Sequence, residues 1–171
     1  AAFVHLCRRE VSAVHELAMA AITLATEQGF MQRVAHATVL HGWALAGQGQ
    51  GDVGRAAIRQ GLTASLATGS LLLQPYGLGL LAETYQAGGH PDEGLAVLAE
   101  AQTVMAVTGV QWYAAELARL KGALLQQQAV LQVIEDHLLV GAIGNGATIG
   151  VAPLGRAHAL QDRADALSIA D

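Results

Sequence analysis

The chain has very little cysteine, and this scarcity excludes two kinds of stabilising chemistry. Cys7 is the single cysteine among 171 residues, so no internal disulfide can form and no cage of several thiolates can hold a metal. A free cysteine is usually buried as a small apolar residue, and we expect this role for Cys7 rather than that of a nucleophile. The lack of a disulfide framework favours a cytoplasmic location.

Basic residues are scarce as well. The chain has 9 lysines and arginines against 14 aspartates and glutamates, and its formal net charge is −5. Proteins that bind nucleic acid usually concentrate basic residues on one face. Here the one basic pair, Arg8-Arg9, is followed at once by Glu10. We therefore expect no nucleic-acid partner.

Long apolar runs are missing although hydrophobic residues make up 53% of the chain. No run reaches the roughly 18 residues that a membrane-spanning helix needs. No basic segment is followed by an apolar stretch and a small-residue cleavage site, which would indicate a secretory signal. We therefore expect a cytoplasmic protein with no membrane partner.

Prolines and aromatic residues are few, whereas glycines recur at a fixed interval. Aromatic residues make up 4% of the chain, and its three prolines stand at 75, 91 and 153. Gly29, Gly69 and Gly109 are spaced by 40 residues, with Gly49 and Gly89 midway between them. The apolar spacing between these glycines is helical. Such a pattern is typical of stacked helix hairpins.

We therefore predict an all-α fold, an α-solenoid of antiparallel helix hairpins with about 40 residues per repeat. The predicted repeat domain covers residues 1–140, and residues 141–171 form an irregular glycine-rich linker and a final helix near 155–169. The predicted helices of the repeat domain lie near 4–28, 31–48, 52–68, 72–88, 92–108, 111–128 and 130–140.

The string GQGDVG at residues 49–54 matches the dinucleotide-binding pattern G-x-G-x-x-G. That site needs a β-strand before its glycines, whereas the preceding residues have a helical pattern. Forty residues later AGGHPDEG keeps the turn and loses the motif. We interpret GQGDVG as a connector between two helices, with glycine supplying the left-handed backbone at a helix end.

The remaining motifs do not support a metal centre or an enzyme. Among the seven histidines the nearest pair, His36 and His41, are five residues apart and point about 140° apart around a helix. The chain has no P-loop, and too few residues follow GAIGNGATIG to complete a nucleotide-binding sheet. Glu83 and Glu116 could form a catalytic pair across a groove, but solvation explains scattered carboxylates more simply. We expect no metal, no cofactor and no enzymatic activity.

Residues 78–101 resemble a tetratricopeptide repeat. The resemblance lies in Leu81-Ala82, Tyr85, Gly89, Asp92-Glu93-Gly94, Leu98 and Ala101. The unit of 40 residues is longer than the usual 34 or so of that repeat, which implies longer helices.

A narrower resemblance covers roughly residues 8–128. It rests on LATEQGF, HGWALAGQGQ, IRQGLTA, LLAETYQAGG, GLAVLAEA and VTGVQWYAAELARLKGALL. These strings are similar to the tetratricopeptide-like C-terminal region of large bacterial signalling proteins that combine a class III nucleotide cyclase with an AAA-type ATPase. The resemblance implies a sensory or scaffolding region without the catalytic parts, and it stops after about residue 128.

The first helix of each tetratricopeptide hairpin lines the concave face, and the resemblance places a set of binding residues there. We expect a protein or peptide partner on this face; an apolar groove for a small molecule is the alternative. Trp43 and Tyr76 are the expected anchors, because aromatic residues dominate binding hot spots, although Trp43 could equally pack between hairpins. The set is His36, Val39, Trp43, Tyr76, Gly79, Glu83, Gln86, Glu116, Arg119 and Gln126.

The N-terminal residues also predict self-association. The first helix, 4–28, corresponds to the second half of a hairpin, and its apolar side chains would lack a covering helix. Burying even one such side chain is worth about 1.5–3 kcal/mol, so we expect a two-fold dimer through the first helix or the C-terminal segment. The side chains concerned are those of Ala2, Phe3, Val4, Leu6, Val11 and Val14.

Overall fold

The computed structural model describes residues 1–144 of the chain, and within that range it contains helices and no strand. The all-α prediction is therefore confirmed. The helices in chain order are α1 (Ala2–Cys7), α2 (Val11–Glu27), α3 (Met31–Gly47), α4 (Gly51–Ala67), α5 (Gln74–Ala87), α6 (Pro91–Thr108) and α7 (Ala114–Gly144).

Two elements differ from the predicted helices. The helix predicted over 4–28 is divided into α1 and α2, because Arg9 has a left-handed backbone with a φ of 60°. The helices predicted over 111–128 and 130–140 form the single helix α7, which contains no proline and passes through Gly122 and Gly141. Each glycine inside a helix costs only about 1 kcal/mol. The predicted final helix near 155–169 lies outside the described residues.

The helix ends follow one geometry at a 20-residue interval. Gly29, Gly49, Gly69, Gly89 and Gly109 have φ values between 71° and 87°, and Arg9 continues the series in the direction of the N-terminus. After each of the first five left-handed residues in the chain, the next amide donates to the carbonyl five residues before it. Examples are Phe30 N to Ala25 O at 2.8 Å and Glu10 N to His5 O at 3.0 Å. This bond closes the helix end in a Schellman motif.

The GQGDVG string connects α3 to α4, as predicted. Gly49 has a φ of 87°, and α4 begins at Gly51. The third glycine of the motif, Gly54, packs against the backbone of Gly42 in α3. A Cβ atom on Gly42 would lie 2.6 Å from the Gly54 carbonyl oxygen. The glycines thus allow close helix packing, which explains their presence without a phosphate ligand.

Proline and acidic residues stand at several helix starts. Pro75 and Pro91 lie in the first two positions of α5 and α6, where a missing N–H costs least. Asp52, Asp92 and Glu93 occupy first turns, where the helix dipole favours negative charge.

The chain divides into two compact units, residues 1–129 and residues 130 onward. The core of the first unit is formed by apolar side chains of all its helices, including Val14, Ile58, Leu81, Leu98 and Leu124, each at most 2% exposed. In the second unit the described side chains of α7, at residues 130–138, are mostly exposed. None of the described helices is long and apolar enough to cross a membrane.

Candidate functional site

Four of the seven aromatic residues of the chain form one cluster, which we call the aromatic cluster: Phe3, Tyr76, Trp112 and Tyr113. Tyr76 lies at its centre, with ring centroids 5.7 Å from Phe3, 5.8 Å from Trp112 and 5.2 Å from Tyr113. Gly79, one turn along α5, makes room for the Tyr113 ring, since a Cβ atom there would lie 2.7 Å from its Cε1 atom. Tilted and edge-on pairs of this kind add to the energy of burial.

A polar junction lies beside the aromatic cluster and joins three parts of the chain: Arg9, Trp43 and Glu83. The Trp43 indole N–H donates to the Glu83 carboxylate at 3.0 Å, and the Arg9 guanidinium forms an ion pair with the same oxygen. The guanidinium carbon also lies 5.9 Å from the centre of the Trp43 ring, within range of a cation–π interaction. The Glu83 side chain is 20% exposed, so this carboxylate is partly shielded from water.

Tyr76 is almost fully buried, at 2% exposed. Among the described residues none lies within hydrogen-bond distance of its hydroxyl group. Burial raises the pKa of this hydroxyl far above its ordinary value, with the neighbouring Tyr113 contributing. Burial also raises the pKa of Tyr113 to about 12, with a contribution from the charge of Glu116. Both phenols therefore stay protonated and keep an O–H group that can donate a hydrogen bond to a partner.

Glu116 and Arg119 form a two-bond ion pair on the first turns of α7. The Arg119 Nε and Nη2 atoms donate to the two carboxylate oxygens at 2.8 and 2.6 Å. The pKa of Glu116 is lowered chiefly by this bond, and the charge of Arg9 lowers it further. The pKa of Arg119 is raised by the same bond, with a contribution from the charge of Glu83. Glu116 and Arg119 of α7 therefore interact electrostatically with Arg9 and Glu83 of the polar junction.

The other predicted site residues lie at the edges of this region. The His36 ring is 6.2 Å from that of Tyr76, and burial lowers the pKa of His36. The Gln86 carbonyl accepts a hydrogen bond from the Gln127 side chain at 3.0 Å, which links α5 to α7. Val39 is buried in the core and Gln126 is exposed.

Trp43 and Tyr76, the expected anchors, are buried rather than open to solvent. Trp43 is 5% exposed and Tyr76 is 2% exposed, and the side chains that cover them include one from α1 and one from the residue two positions after it. Phe3 contacts Tyr76, and Arg9 lies above Trp43. We call the surface formed by Trp43, Tyr76, Glu83 and Tyr113 the α1 seat.

Sequence reasoning missed Phe3, Arg9, Trp112 and Tyr113 as site residues. A signal was present for two of them. Arg9 lies 20 residues before Gly29, so it occupies the next position of the left-handed series toward the N-terminus. Phe3 lies 40 residues, one repeat length, before Trp43. The expectation that Cys7 is buried is wrong: its side chain is exposed, since it lies at the end of α1 while Leu6 points into the core.

The first unit also contains clefts. One of about 270 Å³ lies next to the bond between Trp43 and Glu83 and includes the GQGDVG turn and Arg55. Another, of about 470 Å³, lies between α3 and α4 and has mostly apolar and small side chains. Among residues 1–144, no group of three or more histidine, cysteine, aspartate or glutamate side chains could hold a metal ion.

Comparison with known proteins finds no matching family model, no matching curated protein and no matching solved structure.

Proposed function

We propose that the chain is a non-catalytic helical-repeat module that binds a protein or peptide on the surface shared by α1, α3, α5 and α7. The observation that carries the proposal is the convergence of site residues from separate helices. Trp43 and Glu83 are 40 residues apart and share a hydrogen bond, and Trp112 donates to the carbonyl of Leu72, also 40 residues apart. A surface assembled from equivalent positions of stacked hairpins is the usual binding face of repeat proteins.

The chemistry of this surface suits recognition of a peptide. It combines aromatic rings with paired charges, the residue types that dominate protein-binding hot spots. Glu83 and Glu116 are each already bonded to an arginine, an arrangement that favours recognition over proton transfer. The 20-residue interval of the left-handed helix ends supports the solenoid interpretation.

The place of such a module in a cell follows from the resemblance noted above. A tetratricopeptide-like tail of a bacterial signalling protein would act as a sensory or scaffolding region in the cytoplasm. The proposed partner is then a protein that the signalling protein senses through this region, or one that it holds as a scaffold.

The proposal is tested by affinity capture with the full chain and quantitative mass spectrometry. Three baits are compared: the unchanged chain, Glu83→Lys and Glu100→Lys. Glu100 forms an exposed ion pair with Arg59 at 2.7 Å, away from the α1 seat, and is the matched control. We expect the proteins captured by the unchanged chain to be lost with Glu83→Lys and kept with Glu100→Lys. Equal capture by all three baits would contradict binding at this surface.

The cleft between α3 and α4 favours a second candidate, a small-molecule sensor. Its volume of about 470 Å³ falls within the range of roughly 300–1,000 Å³ that ligand pockets have. The floor of the cleft is a close contact of the two helices at Gly61, where a Cβ atom would lie 2.7 Å from the Ala35 carbonyl oxygen. An apolar dye that reports on hydrophobic pockets should then bind the unchanged chain and lose affinity in Ala64→Trp, which fills the cleft, but not in the exposed Ala56→Trp.

A further inference from the structure

The N-terminal helix α1 is held on the α1 seat by two surface anchors. The Phe3 ring packs on Tyr76 although the residue is 44% exposed. The Arg9 guanidinium bonds to Glu83 although its side chain is 53% exposed. Between them, only Leu6 of α1 is fully buried. Most of the attachment is therefore made at the surface.

Holding α1 in this position requires an unfavourable backbone at Arg9. Its φ of 60° is the one left-handed value of a non-glycine residue in the described part of the chain. The left-handed region disfavours a residue with a Cβ atom, which lowers the population of this state by about 5- to 30-fold. Glycine fills the five later positions of the same series without this cost. The arginine side chain therefore offsets a backbone cost through its bond to Glu83.

A second cost lies beneath α1, at the Tyr76 hydroxyl. This group is a buried donor, and among residues 1–144 it has no hydrogen-bond partner. Leaving a buried donor unpaired is unfavourable because its bond to water is lost and not replaced. The seat therefore offers a polar contact that α1 does not use.

The length of α1 adds to these costs. Six residues are too few for a helix that is stable without tertiary contacts. Short terminal elements with few buried side chains open locally at low free energy, while the rest of the protein stays folded.

The charges of the seat define what would replace α1. Without Arg9, the Glu83 carboxylate keeps the Trp43 indole N–H but has no directly paired cation among the described residues, whereas Glu116 keeps Arg119. The vacated seat thus presents one partly shielded carboxylate beside exposed faces of Tyr76, Tyr113 and Trp43. Carboxylates and aromatic faces both favour binding of a guanidinium group. An aromatic side chain of the partner would take the place of Phe3 in the aromatic cluster.

We propose that α1 is a displaceable occupant of the α1 seat, and that the seat binds in its place a partner peptide with an aromatic residue and an arginine about six positions apart. The partner also supplies an acceptor to the Tyr76 hydroxyl. The inference rests on the proposed function, since it names the chemistry of the partner and adds that the chain itself competes for the site.

The first experiment measures displacement in the full chain by hydrogen–deuterium exchange. The probe is a peptide that copies residues 1–9 with Cys7→Ser. We expect amides in α1 to exchange at least tenfold faster than those in α5, and saturating peptide to accelerate them further without changing α5. Equal protection of α1 and α5, or no response of α1 to the peptide, would overturn the proposal.

The second experiment compares variants of the full chain. Glu83→Gln should speed the exchange of α1 about tenfold, because the charge-assisted bond to Arg9 is lost. Glu100→Gln, the matched control, should leave it unchanged. Tyr76→Phe should act in the opposite direction: it should slow the exchange of α1 about fivefold, because the unpaired donor is gone.

The opposite directions of the two substitutions separate a cost of the Tyr76 hydroxyl from a merely structural role of the residue, which would loosen α1 as Glu83→Gln does. If Tyr76→Phe speeds the exchange of α1, the hydroxyl is not a cost in the closed state and the proposal fails. Circular dichroism of each variant verifies that it is folded. The proposed function is tested separately by affinity capture and fails if capture does not depend on Glu83. This outcome is distinct from the exchange results that test the displacement of α1.

Discussion

At the residue scale, small side chains where two backbones meet have the largest expected effect on stability. Gly42 and Gly122 occupy equivalent positions in the 40-residue spacing but differ in surroundings. A Cβ atom on Gly42 would lie 2.6 Å from the Gly54 oxygen and 2.8 Å from the Ile58 nitrogen, both backbone atoms. A Cβ atom on Gly122 would meet nothing within 4 Å.

Gly42→Ala should therefore lower the free energy of unfolding by about 1–3 kcal/mol, because α3 and α4 must separate. Gly122→Ala should raise it by about 0.5–1 kcal/mol, since alanine loses less backbone entropy in a helix. Urea unfolding followed by circular dichroism measures both changes. Destabilisation of similar size at the two positions would contradict the close approach of α3 and α4.

Two partly buried histidines predict how stability depends on pH. Burial lowers the pKa of His36 and His41 from the ordinary value of 6.5. The unfolded chain then binds protons at a higher pH than the folded chain does. Their contribution to stability is complete above pH 6.5 and is lost as the pH falls below it.

The free energy of unfolding should accordingly fall between pH 7.5 and 5.5. The double variant His36→Gln, His41→Gln should show a flatter profile in urea unfolding over the same range. A flat profile for the unchanged chain would show that burial of these rings has no such effect.

The candidate site could be predicted at the residue scale only in part. The repeat register placed Trp43, Tyr76 and Glu83 on one surface, because all three lie on helices of the same kind in the repeat. It pointed to Arg9 only through the 20-residue spacing, and a search for glycines passes over an arginine in a left-handed position. It also left open whether Trp43 faces solvent, because burial depends on α1, which the periodicity joined to α2.

At the scale of the element, a left-handed residue follows each helix from α1 to α5 one position beyond the C-cap, whereas in α6 the C-cap is itself left-handed. Gly109 is itself the C-cap of α6, with a φ of 71°, and a Cβ atom there would meet nothing within 4 Å. Any effect of a substitution at Gly109 therefore comes from the backbone alone.

Gly109→Ala should lower the free energy of unfolding by about 1–2 kcal/mol. Gly109→Asn should cost less, since asparagine tolerates this conformation better than alanine does. Thermal and urea unfolding provide the measurements. An equal loss for alanine and asparagine would indicate a cause other than backbone conformation.

Helix bounds could be predicted to within a few residues wherever a glycine stands at the end. The sequence failed at the two places where this signal was missing or misleading. Between α1 and α2 the break is at an arginine. In α7 the predicted break near 129 has no glycine or proline, and the helix-forming run of glutamine, alanine and leucine continues through it.

At the scale of the whole molecule, self-association remains a prediction, and its basis is the apolar surface that the described residues expose. Of the N-terminal side chains named above, Leu6 and Val14 are buried and Ala2 and Val11 pack against the core, whereas Phe3 and Val4 are exposed. The described end of α7 carries more such surface, at Val130, Leu131, Val133, Ile134 and Leu138.

We therefore expect the chain to self-associate at micromolar concentration, mainly through residues 130–138. Ile134→Lys with Leu138→Lys should shift the mass measured by light scattering toward the monomer, because a buried unpaired charge opposes association. Gln132→Lys, on the same helix, is the control for added charge. A monomeric unchanged chain would show that this prediction is wrong.

The contacts among α1–α6 also have a consequence for folding kinetics. Every helix pair in backbone contact there is adjacent or next but one in the chain, so each contact closes a short loop at small entropic cost. Proteins built from such local contacts fold in microseconds to milliseconds. Residues 1–129 should refold on that timescale in stopped-flow measurements, and α1 should be the last part to dock, since it is held mainly by its two surface anchors.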